Sequence, residues 1–141
     1  EFAMKKKILS VILAVMCICG TLTSVASASD IEPYYVGITQ VSTSLDISDT
    51  PLGADLAKCL GLVMLYDGYS ADVTLTLQRS SNKSSWSDVK DWEASGEEEV
   101  SIYEEYFVVE GYYYRLNIRV YVYDSDENLV EIVSKQGPVW P

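Results

Sequence analysis

The side chains of this sequence that could carry out chemistry are almost all carboxylates. The chain has 21 aspartate and glutamate residues and no histidine, which excludes Ser-His-Asp and Cys-His arrangements and the commonest metal ligand. Paired carboxylates can cleave a glycosidic bond when they stand about 5 to 5.5 Å or about 6.5 to 9.5 Å apart. However, the runs Glu97-Glu98-Glu99 and Glu104-Glu105 are typical of solvated turns and strand edges. We therefore expect a non-enzymatic protein with no catalytic residues and no cofactor.

A second acidic segment, Asp124-Ser125-Asp126-Glu127-Asn128, begins like a calcium-binding loop, because alternate oxygen-bearing side chains can point at one cation. The EF-hand pattern requires glycine at its sixth position and glutamate at its twelfth. This sequence has Leu129 and Lys135 there. The segment is therefore predicted to be a polar hairpin turn, with incidental calcium binding as the weaker alternative, and we expect no metal site.

Aromatic side chains give the sequence its strongest potential for recognition, since it has 11 tyrosines and 3 tryptophans but only 2 phenylalanines. Tyrosine, tryptophan and arginine are enriched where interfaces derive most of their binding energy. Within residues 112–123, alternation places five such side chains on one face: Tyr113, Arg115, Arg119, Tyr121 and Tyr123. We predict that this tyrosine-arginine face binds a partner. The alternative is that its side chains only brace the sheet through cross-strand and cation-π pairs.

A hydrophobic spacing of two predicts the strand that positions these side chains. In residues 112–123, apolar side chains alternate with polar ones and tyrosines, which favours a half-buried strand over a helix. Leu116, Ile118 and Val120 are therefore predicted core residues, with Tyr112 at the start of the same core-facing set.

Other segments predict six more strands, namely 35–47, 56–66, 71–79, 86–92, 98–103 and 129–135. Turn residues separate them at Asp67-Gly68, 80–85, Ser95-Gly96, Glu110-Gly111 and 124–128. Seven strands at this spacing in about 100 residues are typical of an all-β, immunoglobulin-like sandwich, with a small barrel as the alternative. Strict alternation would place Trp86 and Trp92 on one face, where one of them would be the core tryptophan of the sandwich.

The segment 68–81, the dipeptide Ser85-Trp86 and the segment 111–115 resemble a family of short exported proteins from Gram-positive gut bacteria that carries a domain of unknown function. The likeness covers most of residues 34–135. The later half is also similar to fibronectin type III modules, in which a tyrosine near the start of a late strand closes a corner between the sheets. The resemblance implies a fold and a bacterial, exported origin, and it assigns no functional residue.

The N-terminal segment carries the pattern of an export signal. Residues 1–3 look like a cloning remnant before Met4. Three consecutive lysines, an apolar run over 8–18 and the small-residue motif Ala26-Ser27-Ala28 then predict a signal peptide over 4–28. We expect a secreted protein whose mature part is one domain over 29–141, without a membrane anchor.

The predicted mature domain is strongly acidic. Removing three lysines from 10 basic residues and Glu1 from 21 acidic residues leaves 7 against 20, a net charge of −13. Such a field disfavours nucleic acids and anionic membrane surfaces as partners. Cys59 is the single cysteine of this domain, and its apolar surroundings favour burial over a bridge to another chain.

These features predict a secreted, non-catalytic protein that binds an extracellular protein. In the setting that the resemblance to exported gut-bacterial proteins implies, the expected partner is a host mucosal protein, with an immunoglobulin variable domain as the most specific candidate, because sandwiches pair sheet to sheet or edge to edge. Two alternatives belong to other classes. A coplanar row of exposed aromatic rings would favour a carbohydrate-binding module, and a long unprotected edge strand would favour a structural envelope protein.

Overall fold

The regular structure of this protein consists of seven antiparallel strands, seen in a computed structural model that describes residues 34–141. The strands are β1 (Ile38–Ser48), β2 (Asp55–Leu65), β3 (Ser70–Ser80), β4 (Ser87–Glu97), β5 (Glu99–Val108), β6 (Tyr113–Tyr123) and β7 (Leu129–Gln136). The predicted cloning remnant, the predicted signal peptide and residues 29–33 lie outside the described residues. Within residues 34–141, no helix has the length and apolar character needed to cross a bilayer.

The strands form two sheets, a three-stranded sheet in the order β1-β2-β5 and a four-stranded sheet in the order β4-β3-β6-β7. The chain passes from one sheet to the other between β2 and β3, between β4 and β5, and between β5 and β6. The fold is therefore the all-β, immunoglobulin-like sandwich with fibronectin III-like features that the strand pattern predicts.

The core lies between the two sheets and is built by alternate residues of the central strands. On β6, the predicted core residues Leu116, Ile118 and Val120 are buried, and they face Cys59 and Val63 on β2 as members of one cluster. The prediction for β6 is thus confirmed. Burial raises the pKa of the Cys59 thiol to about 12, because removal from water disfavours the charged thiolate.

Tyr114 closes the corner through which the chain enters β6. Its ring is buried, and its hydroxyl donates a 2.7 Å hydrogen bond to the carbonyl oxygen of Val109, five residues upstream. This is the tyrosine corner of fibronectin III-like sandwiches. Burial is the main cause of the raised pKa of Tyr114. The C-terminal segment adds a short pairing here, since Trp140 exchanges two backbone hydrogen bonds with Tyr114.

The turn predicted at Ser95-Gly96 is wrong, because both residues lie inside β4 and pair with Asp72 and Ala71 of β3. The chain instead reverses at Glu98, whose φ is 63°. Sequence rules assign this left-handed conformation to glycine or asparagine. The carbonyl oxygen of Glu98 accepts a 2.7 Å hydrogen bond from the amide of Leu65, which holds the reversal against β2.

The two tryptophans do not share a face, contrary to strict alternation. The register between β3 and β4 shifts at Leu77/Gln78, where Leu77 pairs with Lys90 and Gln78 with Asp88. This bulge adds one residue to β4. Side chains that precede the bulge therefore point to the side of the sheet opposite to the one that strict alternation predicts. Trp92 accordingly packs against the core, edge-to-face with Tyr106 at 6.2 Å, while Trp86 lies on the outer side of the sheet.

Tyr112 is also placed differently from its prediction. It precedes β6 and is 38% exposed, since the strand begins one residue later than the alternation indicates. The guanidinium of Arg79 lies 4.8 Å from the centre of its ring, so a cation-π contact takes the place of core burial.

Candidate interaction surfaces

The five residues of the tyrosine-arginine face all lie on β6, a central strand flanked by β3 and β7. They alternate with buried residues, so their side chains are on the outer face of the four-stranded sheet, as predicted. Their surroundings divide them into two groups. Three are held by neighbouring side chains, namely Tyr113, Arg115 and Tyr123, whereas Arg119 and Tyr121 line open depressions, the smaller of which Tyr123 also borders.

Arg115 is tied into a network that crosses all four strands. Its Nε donates to the side-chain oxygen of Gln78 at 2.8 Å, and its Nη1 donates to that of Gln136 at 3.0 Å. Gln78 in turn donates to Asp88 at 2.8 Å. The guanidinium also stacks on the indole of Trp86, 4.1 Å from the ring centre. Arg115 therefore braces the sheet, which is the alternative role considered for this face.

Tyr113 and Tyr123 are held in a similar way at the two ends of β6. The ammonium of Lys83 lies 4.4 Å from the centre of the Tyr113 ring. Partial burial, followed by the nearby carboxylate of Asp72, raises the pKa of Tyr123. Asp72 itself accepts a 2.7 Å hydrogen bond from the hydroxyl of Ser95 on β4, so this end of the face is also fixed across three strands.

Arg119 and Tyr121 occupy the middle of the face. Arg119 is exposed, Tyr121 is half-buried, and Tyr121 lines two adjoining depressions of about 530 and 380 Å³. Arg119 lies in the larger one, together with the carboxylates Asp91 and Glu93 of edge strand β4. The residues directly across from Arg119 are Thr74 on β3 and Ser134 on β7. The centre of the face thus combines a cation, an aromatic ring and a row of carboxylates within one shallow polar surface.

The outer face of the three-stranded sheet is apolar along β2 and β5 and polar along β1, and this surface was not anticipated from the sequence. We call it the apolar face; it comprises Leu56, Leu60, Leu62 and Met64 on β2 with Tyr103 and Phe107 on β5. Tyr103 and Phe107 are 59% and 57% exposed and stand directly across from Leu60 and Leu56. The signal was present in the run 56–65, which is apolar at both alternate sets of positions, a pattern typical of strands covered on both faces.

Charged residues border the apolar face and interrupt it at one position. Lys58 of β2 stands between Asp46 of β1 and Glu105 of β5. Glu99 lies across from Met64 at the other end. The hydroxyl of Tyr103 donates to Glu105 at 3.2 Å, and its pKa is raised by partial burial and by this carboxylate. The single cation of this surface is therefore already neighboured by two carboxylates.

The acidic segment between β6 and β7 forms the predicted hairpin turn. The carboxylate of Asp124 accepts hydrogen bonds from the backbone amides of Asp126 and Asn128, at 3.0 and 2.9 Å. The hydrogen bond from the backbone amide of Asn128 is the main cause of the lowered pKa of Asp124. Its oxygens are thus committed to the turn. Across residues 34–141, no group of three or more acidic or cysteine side chains is placed to hold a metal ion.

Comparison with known proteins adds no identification, because no family model matches this chain and no curated protein is detectably similar to it. Functional inference therefore depends on the two outward faces described above.

Proposed function

We propose that this chain is a secreted, non-catalytic protein that recognises an extracellular protein through the tyrosine-arginine face. The observation that carries the proposal is the placement of Arg119 and Tyr121 at the centre of a broad depression whose surrounding side chains are fixed by cross-strand contacts. Side chains that are already fixed around a binding site lower the entropic cost of binding. Tyrosine and arginine at the centre of such a surface are the residue types that contribute most to protein interfaces.

The geometry favours a protein over a carbohydrate as the ligand. A sugar platform would need aromatic rings in a continuous, coplanar row. On β6, Arg115 and Arg119 instead separate Tyr113 from the adjacent pair Tyr121 and Tyr123, and the ring of Tyr113 is already in contact with Lys83. Charged groups of both signs across the face suit an interface with another protein, where electrostatic complementarity sets specificity.

A structural envelope protein is disfavoured by the way the sheet edges are covered. Such a role needs a long edge strand open to pairing with another chain. On β7, Lys135 donates to the carbonyl oxygen of Val41 at 3.0 Å, and Glu131 accepts from the amide of Gly37 at 3.2 Å. These charges come from edge strand β7 and occupy backbone groups of β1 and of the residue before it, which blunts the β1 and β7 edges. The other two edge strands, β4 and β5, carry the charged residues Asp91, Glu93, Glu104 and Glu105, which oppose edge-to-edge pairing.

The class of partner that we propose is a host protein, with an immunoglobulin variable domain as the specific candidate. A variable domain is itself a sandwich that presents sheet faces and edges of similar dimensions. The proposal can be tested with a panel of purified antibody Fab fragments that share their constant domains and differ in their variable domains. Binding that follows the variable domain would support it, whereas equal binding to every Fab would point to the constant domains.

The residues can be tested with the double variant Arg119→Ala, Tyr121→Ala. We expect binding to weaken by at least about 30-fold, equivalent to about 2 kcal/mol, with little change in melting temperature. The control Lys90→Ala, Tyr66→Ala also removes one cation and one tyrosine from exposed positions, but outside this face, and should bind normally. A loss of stability in step with binding would favour the bracing role, and unchanged binding would reject the site.

The proposed secretion has its own test. Export from a Gram-positive host, followed by intact-mass analysis, should give a protein that begins at Ser29, since the small-residue motif ends at Ala28. A product that retains the segment 4–28 would contradict the proposal.

A further inference from the structure

The side chains of the apolar face are clustered on two adjacent strands and are not scattered over the surface. Two strands of about ten residues, with a rise of about 3.4 Å per residue and a strand spacing of about 4.8 Å, present roughly 330 Å² in plan; the third strand, β1, adds only polar side chains such as Gln40 and Ser44. This is within the range of about 300 to 600 Å² for the largest apolar patch of a monomer, a patch that is often functional. A stable partner buries about 800 Å² on each side, so it must extend beyond the apolar centre to the charged border.

The charge of the domain argues against a second copy of this chain as the occupant. Residues 34–141 contain 18 acidic and 7 basic residues, a net charge of 7 − 18 = −11. Packing two apolar faces together would bring the borders with Asp46, Glu99 and Glu105 close to one another. Like charges at an interface oppose association, and the border of each copy sets one cation, Lys58, against these three carboxylates.

We propose that the apolar face is a second docking surface, which takes a cationic amphipathic polypeptide. Apolar side chains of the partner would pack on Leu60, Met64 and Tyr103, while its lysines or arginines would meet the bordering carboxylates. This surface lies on the sheet opposite to the tyrosine-arginine face. The inference is therefore independent of the proposed function, and the domain could hold one partner on each side.

A suitable probe is a synthetic 14-residue peptide in which leucine and lysine alternate, because as a strand it has one apolar and one cationic face. The matched peptide with glutamate in place of lysine serves as the reference. Titration of each peptide into the purified chain, by calorimetry at low and at physiological salt, should show binding of the lysine peptide alone. The affinity should fall with salt, because the border contacts are solvent-exposed.

Two pairs of variants test the surface. The double variant Leu60→Ser, Tyr103→Ser should bind the lysine peptide at least about ten-fold more weakly, since both apolar anchors are lost. The variant Glu99→Gln, Glu105→Gln keeps the apolar centre and should bind more weakly, with a smaller salt dependence. Its control, Asp91→Asn, Glu93→Gln, makes the same change of charge on the opposite sheet and should bind like the wild type.

Equal weakening by the two charge variants would overturn the proposal, because the peptide would then be responding only to net charge. Unchanged binding by the folded Leu60→Ser, Tyr103→Ser variant would also overturn it. A wild-type dimer in sedimentation that becomes monomeric in this variant would show that a second copy covers the face. The variant Arg119→Ala, Tyr121→Ala should still bind the peptide, so failure of this proposal and failure of the proposed function are distinguishable.

Discussion

Gly61 on β2 lies where the two sheets approach each other closely, and filling it should destabilise the domain by a predictable amount. A Cβ added there would lie 3.1 Å from Cδ1 of Leu75 and 3.2 Å from Cδ1 of Ile118. Carbon contacts are optimal at about 3.5 to 4.0 Å, so the methyl overpacks the core, at about 1 to 3 kcal/mol. The reduced freedom of the unfolded chain offsets about 0.4 to 1 kcal/mol. We expect Gly61→Ala to lower the free energy of unfolding by about 0.5 to 2 kcal/mol.

A second substitution tests whether this contact is the cause. Ile118→Val removes the Cδ1 methyl that the new Cβ would meet, and alone it should cost about 0.5 to 1.5 kcal/mol, as is usual for a buried isoleucine. In the double variant, the alanine methyl occupies part of the vacated volume and Leu75 can shift into the rest. The double variant should therefore be about 1 kcal/mol more stable than the sum of the single effects predicts.

The measurement is equilibrium unfolding in urea for the wild type, the single variants and the double variant. The control pairs Gly61→Ala with Ile38→Val, another buried isoleucine, which pairs with Leu65 at the end of β2. These two changes share no contact and should add within about 0.5 kcal/mol. If the cycle with Ile118 proves as additive as the cycle with Ile38, the geometric reasoning is refuted.

Three further predictions concern single side chains. Tyr114→Phe removes the hydroxyl that donates to Val109 and should lower the free energy of unfolding by about 0.5 to 1.5 kcal/mol, measured in urea; Tyr113→Phe is the matched control and should change it by less than about 0.5 kcal/mol. The pKa of Asp124 is lowered in the native protein. Its ionised carboxylate therefore contributes to the free energy of unfolding above the ordinary aspartate pKa of 3.8, and this contribution is lost as the pH falls through the native pKa. The stability difference between the wild type and Asp124→Ala should accordingly shrink below that pH in denaturant titrations, and a constant difference would contradict the assignment. Cys59, buried and with a pKa of about 12, should react with a thiol reagent at pH 8 only after unfolding, and rapid reaction of the native protein would show that the core is open.

The strands whose two faces differ most in polarity could be predicted from the sequence. On β6 and β3 the alternation is nearly strict, so one buried face fixes the strand and its core residues. The tyrosine at the start of β6 could likewise be connected with the corner that it closes. Reversals that depend on a left-handed glutamate, as at Glu98, could not be predicted, because sequence rules expect glycine or asparagine there.

The apolar face could not be located by alternation of polar and apolar residues. On β2 both alternate sets are apolar, so alternation cannot tell which set faces the core. The structure separates them: Ala57, Cys59 and Val63 face the core, whereas Leu60 and Met64 face outward. A strand that is apolar on both sides is itself the signal of a second covered surface, and that signal can be recognised without a structure.

Arg115 and Arg119 show why alternation could not locate the centre of the tyrosine-arginine face. The two arginines are four residues apart on one strand and point the same way. What differs is the length of the side chains beside them. Arg115 pairs across the strands with Gln78, which is long enough to reach its guanidinium. Arg119 lies between Thr74 and Ser134, whose short hydroxyl side chains cannot. The register between strands, and not the order of residues along β6, therefore decides which arginine braces the sheet and which remains exposed.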